Sequence, residues 1–104
     1  MSSLINDADI SLEGWKQLNV YRINRDQVWL AESLPDAMEG AAIAYGVEVP
    51  EVADELCPPK LLGTVSSIVY AVEPTMLERA LGNECLMLLK KGYIPPMMVG
   101  VLTH

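Results

Sequence analysis

The sequence predicts an α+β fold: a two-layer domain in which two helices cover one face of a four-stranded, mainly antiparallel sheet, in the order ββαβαβ. Segments rich in β-branched and aromatic residues alternate with two segments whose apolar residues recur at spacings of three and four. The two periodic segments also begin at residues that cap helices. Because a sheet and a helix each bury one apolar surface, these elements are expected to pack as two layers.

The composition is that of one folded domain. Of the 104 residues, 51% are apolar and 20% are charged, which is enough core-forming material for independent folding. No repeat or linker divides the chain, so residues 15–104 are predicted to form a single domain. Residues 1–14 are mainly polar and predict an N-terminal arm, with structure beginning near Trp15.

The first two strands are predicted to form a hairpin. Leu18–Ile23 and Gln27–Ala31 are rich in Val, Ile, Tyr and Trp, and the residues between them, 24–26, favour a turn. The short connection makes the two strands antiparallel neighbours.

A helix is predicted to follow the hairpin. Ser33 can cap it, so it should begin at Leu34, and Gly46 is placed to end it in a left-handed conformation. Its predicted buried stripe consists of Leu34, Ala37, Met38, Ala41 and Tyr45.

The middle of the chain predicts a short acidic helix and then a strand. Glu51–Leu56 lies between prolines and has room for about one and a half helical turns. Val65–Val72 is compatible with a helical period, but its β-branched content favours extended chain, and a strand is the prediction.

The last two elements are a helix and a strand. Thr75 and Glu78 match a capping box, and Gly92 follows a cationic last turn. Met97–Thr103 is predicted as the final strand, either central in the sheet or covered by another subunit because both its faces are apolar. If it runs parallel to Val65–Val72, the two strands would form a right-handed crossover. The helix's predicted buried stripe consists of Leu77, Leu81, Cys85, Leu88 and Leu89.

Net charge and segment lengths exclude several classes of function. A formal charge of −7 argues against direct nucleic-acid binding, which depends on clustered Lys and Arg. The longest apolar runs fall far short of the roughly 20 residues that a membrane helix needs. The N-terminus does not resemble a secretory signal, so a cytoplasmic location is expected.

Few residues suit catalysis or metal binding. The one histidine, His104, is the last residue, and it is distant in sequence from Cys57 and Cys85. No glycine-rich phosphate-binding motif is present. We therefore expect a non-enzymatic protein without a metal or cofactor; an enzyme could rest only on carboxylates such as Glu32 and Glu73.

The most informative feature is the segment from Glu32 to Leu56, in which every charged residue is acidic and no Lys or Arg occurs. One interpretation is a solvated surface that keeps an apolar protein soluble. The other is a patch that binds a basic partner, because mixed charges would serve solubility with less repulsion. The candidate partner-binding residues are Glu32, Asp36, Glu39, Glu48, Glu51, Asp54 and Glu55.

Two resemblances bear on origin. The chain contains Val20-Tyr21-Arg22-Ile23-Asn24, then Trp29-Leu30-Ala31-Glu32-Ser33-Leu34-Pro35-Asp36-Ala37, and finally Leu88-Leu89-Lys90-Lys91-Gly92-Tyr93-Ile94-Pro95. These stretches resemble a family of small uncharacterised bacteriophage and prophage proteins over residues 19–39 and 75–103. The chain departs from that family over 47–67, where the family is more polar, and the resemblance implies no particular activity.

A shorter resemblance involves the acidic stretch itself. Ala44-Tyr45-Gly46-Val47-Glu48-Val49-Pro50-Glu51-Val52 is similar to a segment of one small acidic anti-CRISPR family. Members of that family use acidic residues to occupy a DNA-recognition surface of a CRISPR effector. The resemblance implies that Glu48 and Glu51 contact the partner.

The sequence thus favours one hypothesis and leaves a second open. In the first, the chain is a phage or prophage inhibitor of a host defence complex, of the anti-CRISPR type, whose acidic residues bind a basic surface of a host protein such as a CRISPR effector. In the second, it is a homodimeric structural or assembly accessory whose acids serve solubility alone.

Overall fold

A computed structural model describes residues 10–52 and 58–102. It confirms the α+β class and the four-stranded antiparallel sheet. The elements are β1 (Asn19–Ile23), β2 (Gln27–Ala31), α1 (Leu34–Tyr45), α2 (Val49–Val52), β3 (Lys60–Thr64), α3 (Val65–Val69), α4 (Met76–Lys90) and β4 (Met97–Val101), preceded by one 3₁₀ turn at Trp15–Gln17.

The strand order in the sheet is β3-β1-β2-β4, with the predicted hairpin at its centre. β4 is an edge strand, so of the two alternatives predicted for the final strand the central position is wrong, while cover by another subunit stays a prediction. β3 and β4 lie on opposite edges, so no crossover joins them. Both edge strands shift register by one residue: the partners of Val20 and Tyr21 jump from Gly63 to Leu61, and β4 shifts likewise opposite Val28 and Trp29. Such irregularities discourage further strand pairing at an edge.

The helices cover both faces of the sheet, so the predicted packing of both on one face is wrong. Strand side chains alternate in direction, and the two sets enter separate hydrophobic clusters. Val20 and Leu30 pack with α3 and α4, whereas Tyr21 and Trp29 pack with α1 and α2. The hairpin is therefore a strand pair buried on both sides, and its uninterrupted apolar residues on β2 reflect this.

The larger cluster, which we call the leucine layer, lies between the sheet and helices α3 and α4. Its helical contributors are mainly long aliphatic side chains. Lys16 adds a contact at its rim, where the ammonium lies 5.7 Å from the ring centroids of both Trp15 and Tyr70. The buried residues of the leucine layer are Ile10, Trp15, Leu18, Val20, Val28, Leu30, Val65, Ile68, Leu81, Cys85, Leu86, Leu89 and Val99.

The smaller cluster, which we call the alanine layer, lies between the sheet and helices α1 and α2. Most of its helical contributors are alanines, so α1 lies close to the strands. A Cβ atom at Gly40 would lie only 3.0 Å from Pro96 and 3.2 Å from the Trp29 ring. The buried residues of the alanine layer are Tyr21, Ile23, Trp29, Ala31, Ala37, Ala41, Ala42 and Val52.

The strand predicted at Val65–Val72 is wrong, because its first residues form the helix α3. Thr64 is the N-cap: its hydroxyl accepts a hydrogen bond from the Ser67 amide at 3.1 Å, and the Ser67 hydroxyl donates to the Thr64 carbonyl at 2.9 Å. The strand lies immediately before it, at Lys60–Thr64. Local capping therefore outweighs the β-branched composition of this segment.

The other predicted helices are present with small differences. Ser33 caps α1, Gly46 ends it with a left-handed φ of 69°, and both bonds of the predicted capping box are formed at the start of α4. The short acidic helix begins earlier than expected, at Val49. Two residues of the predicted stripes, Tyr45 and Leu77, are exposed, whereas Leu86, which was not predicted to be buried, is buried.

The predicted N-terminal arm lies mostly outside the described residues, which begin at Ile10. Ile10 is buried and Leu12 packs against the leucine layer, so packing starts ahead of Trp15. Among the described residues, no helix is both long enough and apolar enough to cross a membrane.

Candidate functional site

Three of the predicted partner-binding residues come together at the start of α1. Glu32 follows β2 directly, and its carbonyl accepts a hydrogen bond from the Asn19 side chain at 3.0 Å. Asp36 lies in the first helical turn, where its amide donates to the Ser33 hydroxyl. Glu39 comes one turn later, on the same side of the helix. The strand end and the cap thus fix the backbone that carries these carboxylates.

These carboxylates border a groove between α1 and the segment that leads into β4. We call it the acidic groove; its volume is about 400 Å³. Its lining combines the three acids with Gly40, Ile43, Pro95 and Pro96. Ile43 is 75% exposed, although an isoleucine in a helix is usually buried. The groove therefore has apolar walls and an acidic border.

A second cavity of about 330 Å³ adjoins the acidic groove, since Glu32 and Pro95 line both. It adds one more acid, Glu13, and another isoleucine, Ile94, which is 75% exposed. No Lys or Arg lines either cavity. The two cavities together present four carboxylates and two exposed isoleucines.

The remaining predicted acids do not join this groove. Glu48 and Glu51 are exposed at α2, beyond the C-terminal end of α1. Glu39, the groove acid nearest to α2 in sequence, precedes Tyr45, the last residue of α1, by six residues, or about 9 Å of helix axis. That length is about one Debye length at physiological salt, which is about 8 Å. Neither Glu48 nor Glu51 lines the acidic groove, so the described acids form two groups. Asp54 and Glu55 lie outside the described residues.

The carboxylates of the acidic groove are free to meet an external cation. Within residues 10–52 and 58–102, Glu32, Asp36 and Glu39 have no basic partner. Exposed carboxylates without a counter-charge repel one another and attract Lys or Arg. The apolar wall beside them suits the aliphatic part of such a side chain. The arrangement thus fits recognition of a cationic group that also carries apolar surface.

Sequence reasoning missed the apolar half of this site. Ile43 stands outside the predicted buried stripe of its helix, and an isoleucine off that stripe was the available signal. Pro95 and Pro96 were not among the predicted site residues. Ile94 gave no comparable signal, because its position depends on how the last connection returns to α1.

Neither a metal site nor a reactive thiol is found among the described residues. The described residues contain no group of three or more His, Cys, Asp or Glu side chains arranged to hold a metal ion. Cys85 is buried in the leucine layer, and that burial, together with the Glu84 carboxylate, raises the pKa of its thiol to about 12. A thiol that stays protonated at neutral pH is a poor nucleophile.

Comparisons with protein-family models, with curated proteins and with solved structures give no match to this chain.

Proposed function

We propose that this protein is a non-enzymatic binding protein that occupies a basic surface of a partner protein through its acidic side. The observation that carries the proposal is the one-sided distribution of charge. Residues 32–52, which include α1 and α2, contain five acids and no base, whereas residues 65–91 on the other side contain three of each. A surface of one sign speeds association with an oppositely charged partner and excludes partners of like charge.

In its concrete form, the proposal is an inhibitor of a phage-defence complex of the anti-CRISPR type. The basic surface is then one that normally binds nucleic acid, and the acidic side competes with the phosphate backbone for it. The resemblances to phage proteins and to an acidic anti-CRISPR segment support this form. The division of the acids into two groups would allow each group to meet a different basic site.

The test is competition with DNA. Purified CRISPR effector complexes of several types are incubated with labelled target DNA and increasing amounts of the protein, and bound DNA is measured by mobility shift. We expect at least one effector to lose DNA binding. The double variant Glu32→Lys/Glu39→Lys should weaken that inhibition about tenfold or more, since two exposed attractions become repulsions.

A matched control keeps the net charge equal. Glu73→Lys/Glu84→Lys changes two acids on the opposite side of the sheet, and each double variant moves the formal charge from −7 to −3. The control should inhibit as the unmodified protein does. Equal weakening by both variants would show that net charge alone acts, and inhibition of none of the effectors would refute the anti-CRISPR form.

One observation favours the second candidate, a homodimeric accessory protein. β4 is an edge strand on which Met98 and Val101 are about half exposed. A second copy could cover them, although the register shift on β4 opposes direct strand pairing. Sedimentation equilibrium at low and high salt separates the candidates, because a tight dimer insensitive to salt would favour the accessory.

A further inference from the structure

We infer that the acidic groove is the recognition element of the acidic side, and that it binds an extended segment of a partner chain in which Arg or Lys alternates with apolar residues. This inference rests on the proposed function and narrows it. It assigns the partner contact to the groove beside α1 rather than to Glu48 and Glu51 on α2.

The first argument is the exposed apolar surface in a concave place. Ile43 and Ile94 are each three-quarters exposed and line the two adjoining cavities, with Pro95 shared between them. Binding is favoured when a ligand displaces water from apolar side chains in a cavity. A purely ionic ligand, such as a divalent cation or a polyamine, would leave this surface uncovered.

The second argument is charge complementarity. Glu13, Glu32, Asp36 and Glu39 line the same two cavities as the isoleucines, and the linings contain no base. An acidic segment would be repelled by these carboxylates, and a neutral apolar segment would leave them without a counter-charge. Arg and Lys satisfy both features, because the stem of either side chain packs on apolar surface while its charged end reaches a carboxylate.

The third argument concerns shape. From Asp36 to Ile43 the helix rises about 10 Å, which is the length of about three residues of extended chain. The adjoining cavity lengthens the site beyond Glu32. A segment in which successive side chains alternate in direction can place cations toward the acids and apolar groups toward the isoleucines.

The test uses two synthetic peptides of equal charge and length, four Arg-Leu repeats and four Arg-Ser repeats, both with blocked ends. Each is titrated at low salt into the ¹⁵N-labelled protein, and amide shifts and affinities are measured by NMR. We expect the Arg-Leu peptide to bind about fivefold or more tightly than the Arg-Ser peptide. The largest shifts should fall at Gly40, Ile43 and Ile94.

Two single variants and their matched controls locate the contact. Ile43→Ser should weaken Arg-Leu binding severalfold, whereas Val72→Ser, at an exposed position near the start of α4, should not. Glu39→Gln should lower the affinity for both peptides about two- to fivefold and reduce the salt dependence of binding. Glu51→Gln should leave both affinities nearly unchanged. All four positions are exposed, so folding should be preserved, and thermal unfolding checks this.

Several outcomes would overturn the inference. They are equal affinity for the two peptides, largest shifts at α2, and greater loss from Glu51→Gln than from Glu39→Gln. If the protein self-associates at higher concentration and thereby displaces the peptide, the groove binds a second copy of this chain instead. If an effector is inhibited but Glu51→Gln rather than Ile43→Ser abolishes inhibition, the proposed function stands and the groove assignment fails.

Discussion

The two sides of the sheet differ in how they are packed and in how they are charged. The leucine layer buries thirteen residues, most of them large, whereas the alanine layer buries eight, half of which are alanines. The helices of the leucine layer carry balanced charge, while α1 and α2 carry acids alone. Since burial of apolar area is the main stabilising contribution, the leucine layer should supply most of the stability.

This difference indicates a division of roles. α1 is held close to the sheet by small residues, and its outer surface carries charges that repel one another. Such a surface lowers the free energy of unfolding, so packing on the other side of the sheet must compensate for this loss. The acidic side is therefore free to be specialised for a partner, as long as the leucine layer remains intact.

The largest expected effect is alkaline destabilisation of the leucine layer through Cys85. The folded protein holds the pKa of this thiol near 12, whereas the ordinary value is 9.0. Between these values the unfolded chain loses a proton that the folded chain keeps. Stability present below pH 9 should then fall by about 1.4 kcal/mol per pH unit as the pH rises toward 12.

Urea unfolding of the unmodified protein and of Cys85→Ala from pH 8 to pH 11 measures this contribution. Other titrating groups are common to both proteins, so the difference between the two curves isolates the thiol. We expect the unmodified protein to lose about 2–3 kcal/mol more than the variant over this range. Parallel curves would mean that the leucine layer admits water around Cys85, and the contrast between the layers would then be weaker.

The hairpin and the caps were predictable because their signals are local. The sequence correctly predicted the β1 to β2 turn, the Ser33 cap and the Thr75 box, each set by residues within a few positions of one another. Placement of both helices on one face failed because it depends on the path of long connections. β2 did contain a signal: Val28, Trp29, Leu30 and Ala31 are all buried, as expected of a strand covered on both faces.

The candidate site was half predictable for the same reason. The acidic residues were recognisable in the sequence as a segment without bases. Their division into two groups depends on the length of α1 and on the position of α2 after it. Pro95 and Pro96 lie more than fifty residues from Glu32 and Glu39, so only the tertiary fold places them in one groove. Local sequence contains no record of that contact.

A second pair of variants compares how tightly each layer approaches its helix. Gly82 in α4 and Gly40 in α1 are both helical, and replacement by Ala normally stabilises a helix by about 1 kcal/mol. At Gly82 the added Cβ would lie 3.5 Å from the Val69 backbone, an ordinary contact, so the gain should be retained. At Gly40 the contacts of 3.0 Å to Pro96 should reverse it to a loss of about 1 kcal/mol.

Chemical denaturation of the two single variants measures the difference. A Gly40→Ala protein that is displaced at Pro96 should also show altered amide shifts along the acidic groove, which Gly82→Ala should not. Equal stabilisation by both substitutions would show that α1 yields easily, and that the close contact of the alanine layer is not a constraint.

The smallest expected difference concerns the caps of α1 and α4. Thr75 and Glu78 exchange two hydrogen bonds of 3.0 and 3.1 Å, whereas the Ser33 hydroxyl accepts one of 3.4 Å. Thr75→Ala should therefore cost about 1 kcal/mol and Ser33→Ala about 0.5 kcal/mol, measured by urea unfolding. Thr75→Ser and Ser33→Thr, which keep a hydroxyl, should recover most of each loss. If Ser33→Ala lowers the free energy of unfolding more than Thr75→Ala does, α1 depends more on its cap than on its packing against the sheet. That result would fit a helix whose buried residues are mainly alanines.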